Sequence, residues 1–363
     1  MSRVKFLDLG AAYRELRPEI DAAALRVLAS GWYIGGPEVE AFEAEFAAYC
    51  GASHCVGVGN GLDAIHLALR ALDIGPGDEV IVASNSYIAT LLAVSMVGAT
   101  PVLVEPDPAT FNLDPARVEA AITARTKALL PTHLYGQSAD LDPLLDIARR
   151  HGLRLIEDAA QAHGARYKGR RVGAHGDIVT WSFYPSKNLG AIGDGGAVTT
   201  NDPALAARIR RLGNYGSSKR YVNEERGVNS RLDPVHAAVL RVKLARLDQW
   251  NQRRRTIAAL YRERLSGAGL TLPFVPEWAD PAWHLFVIQS DERDALAARL
   301  ADAGIATIIH YPIPPHLQQA YADLALPRGS LPIAERLADT VLSLPIGPQM
   351  SEADALRVCD AIG

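Results

Sequence analysis

The run Trp181-Ser182-Phe183-Tyr184-Pro185-Ser186-Lys187-Asn188-Leu189-Gly190, with Gly193-Asp194-Gly195-Gly196 close behind, sets a lysine just past a β-type segment. That lysine sits in a turn held between proline and glycine. Most lysines are surface groups. This one is flanked by aromatics and glycine-rich loops, where loss of water lowers an amine's pKa toward the range of imine chemistry. Upstream, Leu155-Ile156-Glu157-Asp158-Ala159-Ala160-Gln161-Ala162-His163-Gly164 ends a second β-type run on an aspartate. Ligands of α/β proteins collect at such strand ends, although an isolated aspartate there is more often a helix cap. Further upstream, Gly57-Val58-Gly59-Asn60-Gly61-Leu62-Asp63-Ala64 follows a third run and opens a helix. Glycine lets the backbone approach an anion, and the free N–H groups of a helix start favour phosphate. A dinucleotide loop would want glycine at position 62 and an acid closing the next strand. Position 62 is leucine, and Asp78 and Glu79 open the next strand instead. A phosphate cradle and a plain strand-to-helix turn stay open on this loop alone.

Outward from these three segments, β-rich runs alternate with amphipathic helical patterns. Strands are predicted at His54–Val58, Glu79–Ala83, Pro101–Val104, Lys127–Pro131, Arg154–Glu157, Ile178–Ser182 and Gly196–Thr200. Helices are predicted at Leu62–Leu72, Tyr87–Val97, Pro115–Ile122 and Leu141–His151. The alternation indicates an α/β domain with a mainly parallel sheet and crossover helices. Pro234 to Leu265 reads as one long, arginine-rich helix that breaks at Ser266–Gly269. Beyond it come a strand at Trp283–Gln289, a helix at Glu292–Ala303, a strand at Ala306–Ile309 and a last helix at Glu352–Ile362. The expected division is a large domain over residues 1–240 and a smaller α+β domain over 241–363.

A chain of 363 residues can bury one large core and a second, smaller one. Apolar residues at 48% and charged residues at 21% argue against disorder. Lysine and arginine total 37 against 41 acids, and a net charge of -4 gives no general attraction to nucleic acid or anionic membrane. Cys50, Cys55 and Cys359 do not form the two pairs of a zinc site, so no metal is expected and buried thiols in a reducing compartment are. Met1–Gly10 lacks an apolar signal core, and Ile88–Ala99 is too short to span a bilayer. A cytoplasmic protein with no membrane partner is expected.

Together the three segments supply an anion cradle, a carboxylate for a ring nitrogen and a lysine for an aldehyde. These are the needs of pyridoxal 5′-phosphate. In Glu157–Gly164, Ser182–Gly190 and Asn229-Ser230-Arg231-Leu232-Asp233, the chain resembles the DegT-type (StrS-type) sugar-nucleotide aminotransferases, a branch of the fold-type-I pyridoxal-phosphate enzymes. The likeness runs nearly end to end, from Phe6-Leu7-Asp8-Leu9 to the last helix.

The resemblance implies a role for each matching residue. Lys187 forms the Schiff base and then shuttles the proton, and Asp158 pairs with the pyridine nitrogen. Gln161 contacts the ring hydroxyl, and Tyr87 stacks on the ring face. The Gly61 and Leu62 amides, with the Ser182 hydroxyl, hold the phosphate. Asn229 reaches the phosphate of a neighbouring subunit, which implies a homodimer with a shared active site. Two positions depart from the pattern. His236 stands where a glutamine is common, and Leu62 where many relatives carry a small hydroxyl residue.

The loop from Asn214 to Asn229 and the run His310-Tyr311-Pro312-Ile313-Pro314-Pro315-His316-Leu317-Gln318 resemble the subgroup acting on thymidine-diphosphate 3-oxo-6-deoxyhexoses. Members acting at the 4-position more often carry histidine where this chain has Tyr215. Lys219, Arg220 and Tyr221 suit a diphosphate or a nucleotide base, and without the family they read as an exposed charged loop. Tyr184, His310 and Tyr311 are candidates for the sugar pocket. The implied reaction takes the amino group from L-glutamate. The other readings are the 4-aminotransferase of a related sugar nucleotide and a non-catalytic regulatory protein that binds the same cofactor.

Overall fold

The computed structural model describes residues 3–363. Three helices, Leu9–Glu15, Arg17–Ser30 and Pro37–Cys50, precede the first strand. The main sheet is then built from β1 (His54–Val58), β2 (Glu79–Ala83), β3 (Thr100–Val104), β4 (Thr126–Leu130) and β5 (Arg154–Asp158). A small hairpin, β6 (Arg166–Tyr167) and β7 (Arg170–Arg171), interrupts the series before β8 (Ile178–Ser182) and β9 (Gly196–Thr200) complete the sheet. The strand order is β1-β9-β8-β5-β4-β2-β3, and β9 runs antiparallel to both of its neighbours while the other pairs are parallel. The expected mainly parallel α/β sheet is therefore present.

Its inner strands read as unbroken apolar runs because both faces are covered. Along β2, Val80 and Val82 point into one core with Leu67, Leu91 and Leu130. Ile81 and Ala83 point the other way, against Leu129, Leu144 and Ile147. This is the two-residue period of a pleated strand serving two cores. On β8, Trp181 meets Phe46 edge to face at 5.1 Å, and Phe183 just beyond meets Phe42 at 5.3 Å. The helix Pro37–Cys50 thus packs under the strand that leads to Lys187. Its apolar spacing at Val39, Phe42, Phe46 and Cys50 is a helical period.

After β10 (Ser217–Lys219) and β11 (Val222–Asn223), the long helical stretch divides into Pro234–Leu244 and Leu247–Arg264. The expected single helix is corrected: the chain turns at Ala245 and Arg246, where ψ opens to -17° and -8°. The two pieces serve different cores. Ala237, Leu240 and Leu244 join the cluster around Phe42 and Trp181, whereas Ile257, Ala258 and Tyr261 join a C-terminal cluster. That cluster is built on β13 (Phe286–Gln289) paired with β14 (Val341–Leu344), after a short β12 (Ala279–Asp280) that extends the β6–β7 hairpin. Helices Arg293–Asp302 and Glu352–Ile362 cover it through Leu296, Leu300, Val358 and Ile362, and Val4 joins from the other end of the chain.

Two further strand expectations are corrected. The strand expected from Trp283 begins only at Phe286, since Trp283 has φ +50° and leaves the extended region. Residues 306–309 form no strand. Ala306 N–H bonds to Val4 O at 3.0 Å, while Ile308 N–H bonds to Ser343 O at 3.3 Å. Alternating between two neighbours, the segment builds no ladder with either. Among the described residues, the three cysteines are free and buried, no cluster of metal-ligating side chains occurs, and no helix is long and apolar enough to cross a membrane.

Candidate active site

The carboxyl ends of β5 and β8 open onto a cleft of about 580 Å³. Ten of the residues expected from sequence line it: Gly61, Leu62, Tyr87, Asp158, Gln161, Ser182, Tyr184, Lys187, His310 and Tyr311. They come from five separate stretches of chain, and only the fold brings them together.

Lys187 follows β8 in a turn fixed by backbone bonds. Phe183 N–H donates to Gly195 O at 2.7 Å, Lys187 N–H to Tyr184 O at 2.8 Å, and Ala191 N–H to Phe183 O at 2.7 Å. A side chain at position 190 is impossible, because a Cβ on Gly190 would lie 2.4 Å from Pro185 O. Lys187 borders the cleft and is half-buried. Desolvation lowers its pKa to about 8, against the upward pull of the Asp158 charge. Asn188 anchors the turn from below. Its amide donates to Asn251 Oδ1 at 2.9 Å and to Ala282 O at 2.8 Å, and its Oδ1 faces His284 Nδ1 at 3.2 Å.

Asp158, 6% exposed, closes β5. Its Oδ2 accepts from Thr90 Oγ1 at 2.9 Å and Thr132 Oγ1 at 3.4 Å, and its Oδ1 from Ala160 N–H at 3.1 Å. Neighbouring Glu157 is fully buried. It accepts from Gly176 N–H at 2.6 Å, and His133 Nε2 lies 2.8 Å away. Because His133 Nδ1 accepts from Ala139 N–H at 3.0 Å, its proton sits on Nε2 and points at Glu157. Burial pushes the Glu157 carboxyl up, but the hydrogen bonds from His133 and from Gly176 N–H outweigh it, so its pKa falls below the ordinary value. Gln161 Oε1 accepts from Tyr135 N–H at 2.6 Å, and its amide donates to the Tyr311 hydroxyl at 3.2 Å.

The helix Gly61–Ala71 starts at the cleft. Asn60 caps it by accepting from Asp63 N–H at 2.8 Å, which leaves the Gly61 and Leu62 N–H groups free of intrahelical acceptors. Ser230 Oγ accepts from Gly59 N–H at 2.9 Å and donates to Asp63 Oδ2 at 2.6 Å, fixing the loop. A Cβ on Gly61 would come 2.7 Å from Ser182 Cβ. The helix start and the Ser182 hydroxyl thus share a space that only glycine leaves open, and it suits a phosphate. Gly61→Ala is expected to weaken retention of a phosphorylated ligand by at least about tenfold. Equilibrium dialysis checks it, and unchanged affinity would discard the cradle.

Tyr87 caps the helix Ile88–Met96, and its ring lies 5.1 Å from that of Tyr311 on the cleft wall. His310 Nδ1 meets Ser343 Oγ at 2.8 Å. Burial, and then the Lys187 charge, pull His310 down to about 4 and hold His284 well below its usual range. Both imidazoles are neutral near pH 7. Four expected residues do not line this chain's cleft. Lys219, Arg220 and Tyr221 project on the exposed β10–β11 hairpin, and Asn229 is exposed where it bridges to Asn214. Thr90, Thr132 and His284 were not foreseen, since nothing in their local sequence signals a place beside Asp158 or Lys187.

A family model described as the DegT/DnrJ/EryC1/StrS aminotransferase family matches residues 14–363. The chain is 63% identical to the erythromycin biosynthesis sensory transduction protein EryC1 of Saccharopolyspora erythraea, covering 98% of this chain and 97% of that protein. It is 60% identical to a dTDP-3-amino-3,4,6-trideoxy-alpha-D-glucose transaminase of Streptomyces venezuelae, over 99% of this chain and 95% of that one. The crystal structure of S. venezuelae DesV in complex with a ketimine intermediate superposes with a TM-score of 0.98 at 59% identity, covering 100% of this chain and 98% of that one. With a lysine amine, a carboxylate and a phosphate cradle converging on one cleft, and with likeness over the whole chain, the protein belongs to the DegT/DnrJ/EryC1/StrS aminotransferase family.

Proposed function

We propose that the protein moves the amino group of L-glutamate onto the 3-oxo carbon of a thymidine-diphosphate-linked 6-deoxyhexose, using pyridoxal 5′-phosphate held at Lys187. One observation carries this reading: the Lys187 amine, the Asp158 carboxylate and the free amides of Gly61 and Leu62 line the same cleft. The similarity to a transaminase named for a dTDP-3-amino sugar supports the substrate class and the 3-position. The cofactor supplies an aldehyde for imine exchange and a ring that accepts an electron pair.

The chain's own groups do the rest. Lys187 Nζ would hold the cofactor as an imine, formed with loss of water, and the same amine, once freed by the donor's amine, is placed to accept and return a proton in the cleft. Asp158 pairs with the ring nitrogen and favours its cationic form. Gly61, Leu62 and Ser182 hold the phosphate. Gln161 faces the ring hydroxyl, Tyr87 covers the ring, and Tyr184, His310 and Tyr311 border the sugar. Neutral His284 and His310 leave Lys187 as the basic group suited to proton transfer near pH 7.

The amine attacks only when unprotonated. Its pKa is lowered to about 8, so the reactive fraction rises about tenfold per pH unit below that value and levels off above it. Cofactor uptake by the apoprotein, followed by absorbance, should trace that curve. A rate still climbing steeply past pH 9 would contradict desolvation at Lys187.

The hairpin carrying Lys219, Arg220 and Tyr221, together with Asn229, serves the cleft of a second copy, and the functional unit is a homodimer. Exposed Leu25, Leu28, Trp32, Tyr33 and Ile34 offer an apolar patch for that contact. Sedimentation should give a dimer or a larger species, and an active monomer would refute the shared site. Substrate identity is tested by incubating the protein with glutamate and a panel of thymidine-diphosphate keto-sugars, then reading the product by NMR. An amine at carbon 4 would favour the 4-aminotransferase, and no aminated product would overturn the proposal.

A further inference from the structure

Lys187 also borders a second cavity, of about 320 Å³. It is lined by the N-terminal segment, the turn that carries Lys187 and the two helices Pro234–Leu244 and Leu247–Arg264. Lys243 and Arg254 line it. Arg254 is 3% exposed. Its Nη1 donates to the carbonyls of Trp283, His284 and Ile346 at 3.2, 3.3 and 3.2 Å. Its Nε is buried with no acceptor.

Lys243 Nζ donates to Gly190 O at 2.6 Å. Among the described residues, neither cation has a carboxylate partner within ion-pair distance. Desolvation with no offsetting charge brings Lys243 down to about 8 and Arg254 to about 10. The one acid on the wall, Asp8, is already held by Lys5 at 3.1 Å and Arg14 at 3.0 Å. Buried cations are normally paired, because an uncompensated charge away from water is costly. Here the missing partner faces a space large enough to hold one.

We propose that this cavity binds a small oxyanion, carboxylate or phosphate, between Lys243 Nζ and the guanidinium of Arg254. Both donors are charged, so the hydrogen bonds they make to an anion are of the stronger class. Desolvation favours the bound ion further, since opposite charges interact more strongly away from bulk water. Lys187 borders both cavities, but the two donors proposed here, Lys243 and Arg254, have no role in transamination, so either reading can fail alone.

The test is calorimetry on cofactor-loaded protein, in which the phosphate cradle at Gly61 is already filled. Inorganic phosphate and glutarate, a dicarboxylate without an amine, are titrated separately. Saturable binding of at least one is expected, weakened at least about fivefold by Lys243→Met and by Arg254→Gln. The anion that binds more tightly identifies the source, phosphate or carboxylate. No saturable heat from either anion overturns the proposal, as does a smaller effect of Lys243→Met. Lys243→Met decides alone if Arg254→Gln does not fold.

Discussion

Lys187→Ala is expected to leave no more than about 10⁻⁴ of the transamination rate, because one amine serves as both covalent anchor and proton carrier. No other amine is placed to take over. The second half-desolvated lysine, Lys243, faces the cavity behind the turn, not the cofactor cleft. The fold should survive, since among the described residues no hydrogen bond uses the Lys187 side chain. The turn is held by backbone bonds and by Asn188. Removing a desolvated cation also relieves a burial cost, so the melting temperature should not fall. Single-turnover assays and thermal melts check both halves. Retained turnover would refute the assignment, and so would borohydride reduction that leaves no cofactor on residue 187 of the wild-type protein.

Asp158→Asn should lower the rate by about 10²–10³, the size typical of losing one preorganised electrostatic partner. The change is nearly isosteric, yet every neighbour opposes it. Thr90, Thr132 and Ala160 all donate toward the carboxylate. An amide NH₂ in that place meets donors on one side and cannot hold a ring nitrogen in its protonated form on the other. The cost thus falls on both placement and charge. Steady-state kcat with circular dichroism distinguishes chemistry from misfolding. A near wild-type rate would count decisively against the role of Asp158.

Much of this was legible along the chain. Strands β1, β2, β8 and β9 lie where their apolar runs place them, because strands buried on both faces carry an unbroken signal. The Asp158 strand end, the Gly61 helix start and the Lys187 turn were each visible as local chemistry. Less was visible wherever one segment answers to two neighbours. The stretch from Pro234 to Leu265 carries helical signal throughout, but its halves face separate cores and the chain bends between them. Residues 306–309 look like a strand, but they split their bonds between Val4 and Ser343. Thr90 gives no signal at all, since its bond to Asp158 spans 68 positions.

The sequence by itself determined which groups exist and the local geometry around each. A lysine follows a strand between proline and glycine, an aspartate ends another, and a glycine with a capping asparagine opens a helix. Those features depend on φ, ψ and capping within a few residues. Only the tertiary structure decided their convergence on one cleft and the desolvation that takes Lys187 to about 8. It also left Arg254 and Lys243 lining a cavity with no ion-pair partner of their own among the described residues. Desolvation and charge pairing sum over everything nearby in space, and most of those neighbours are remote in the chain.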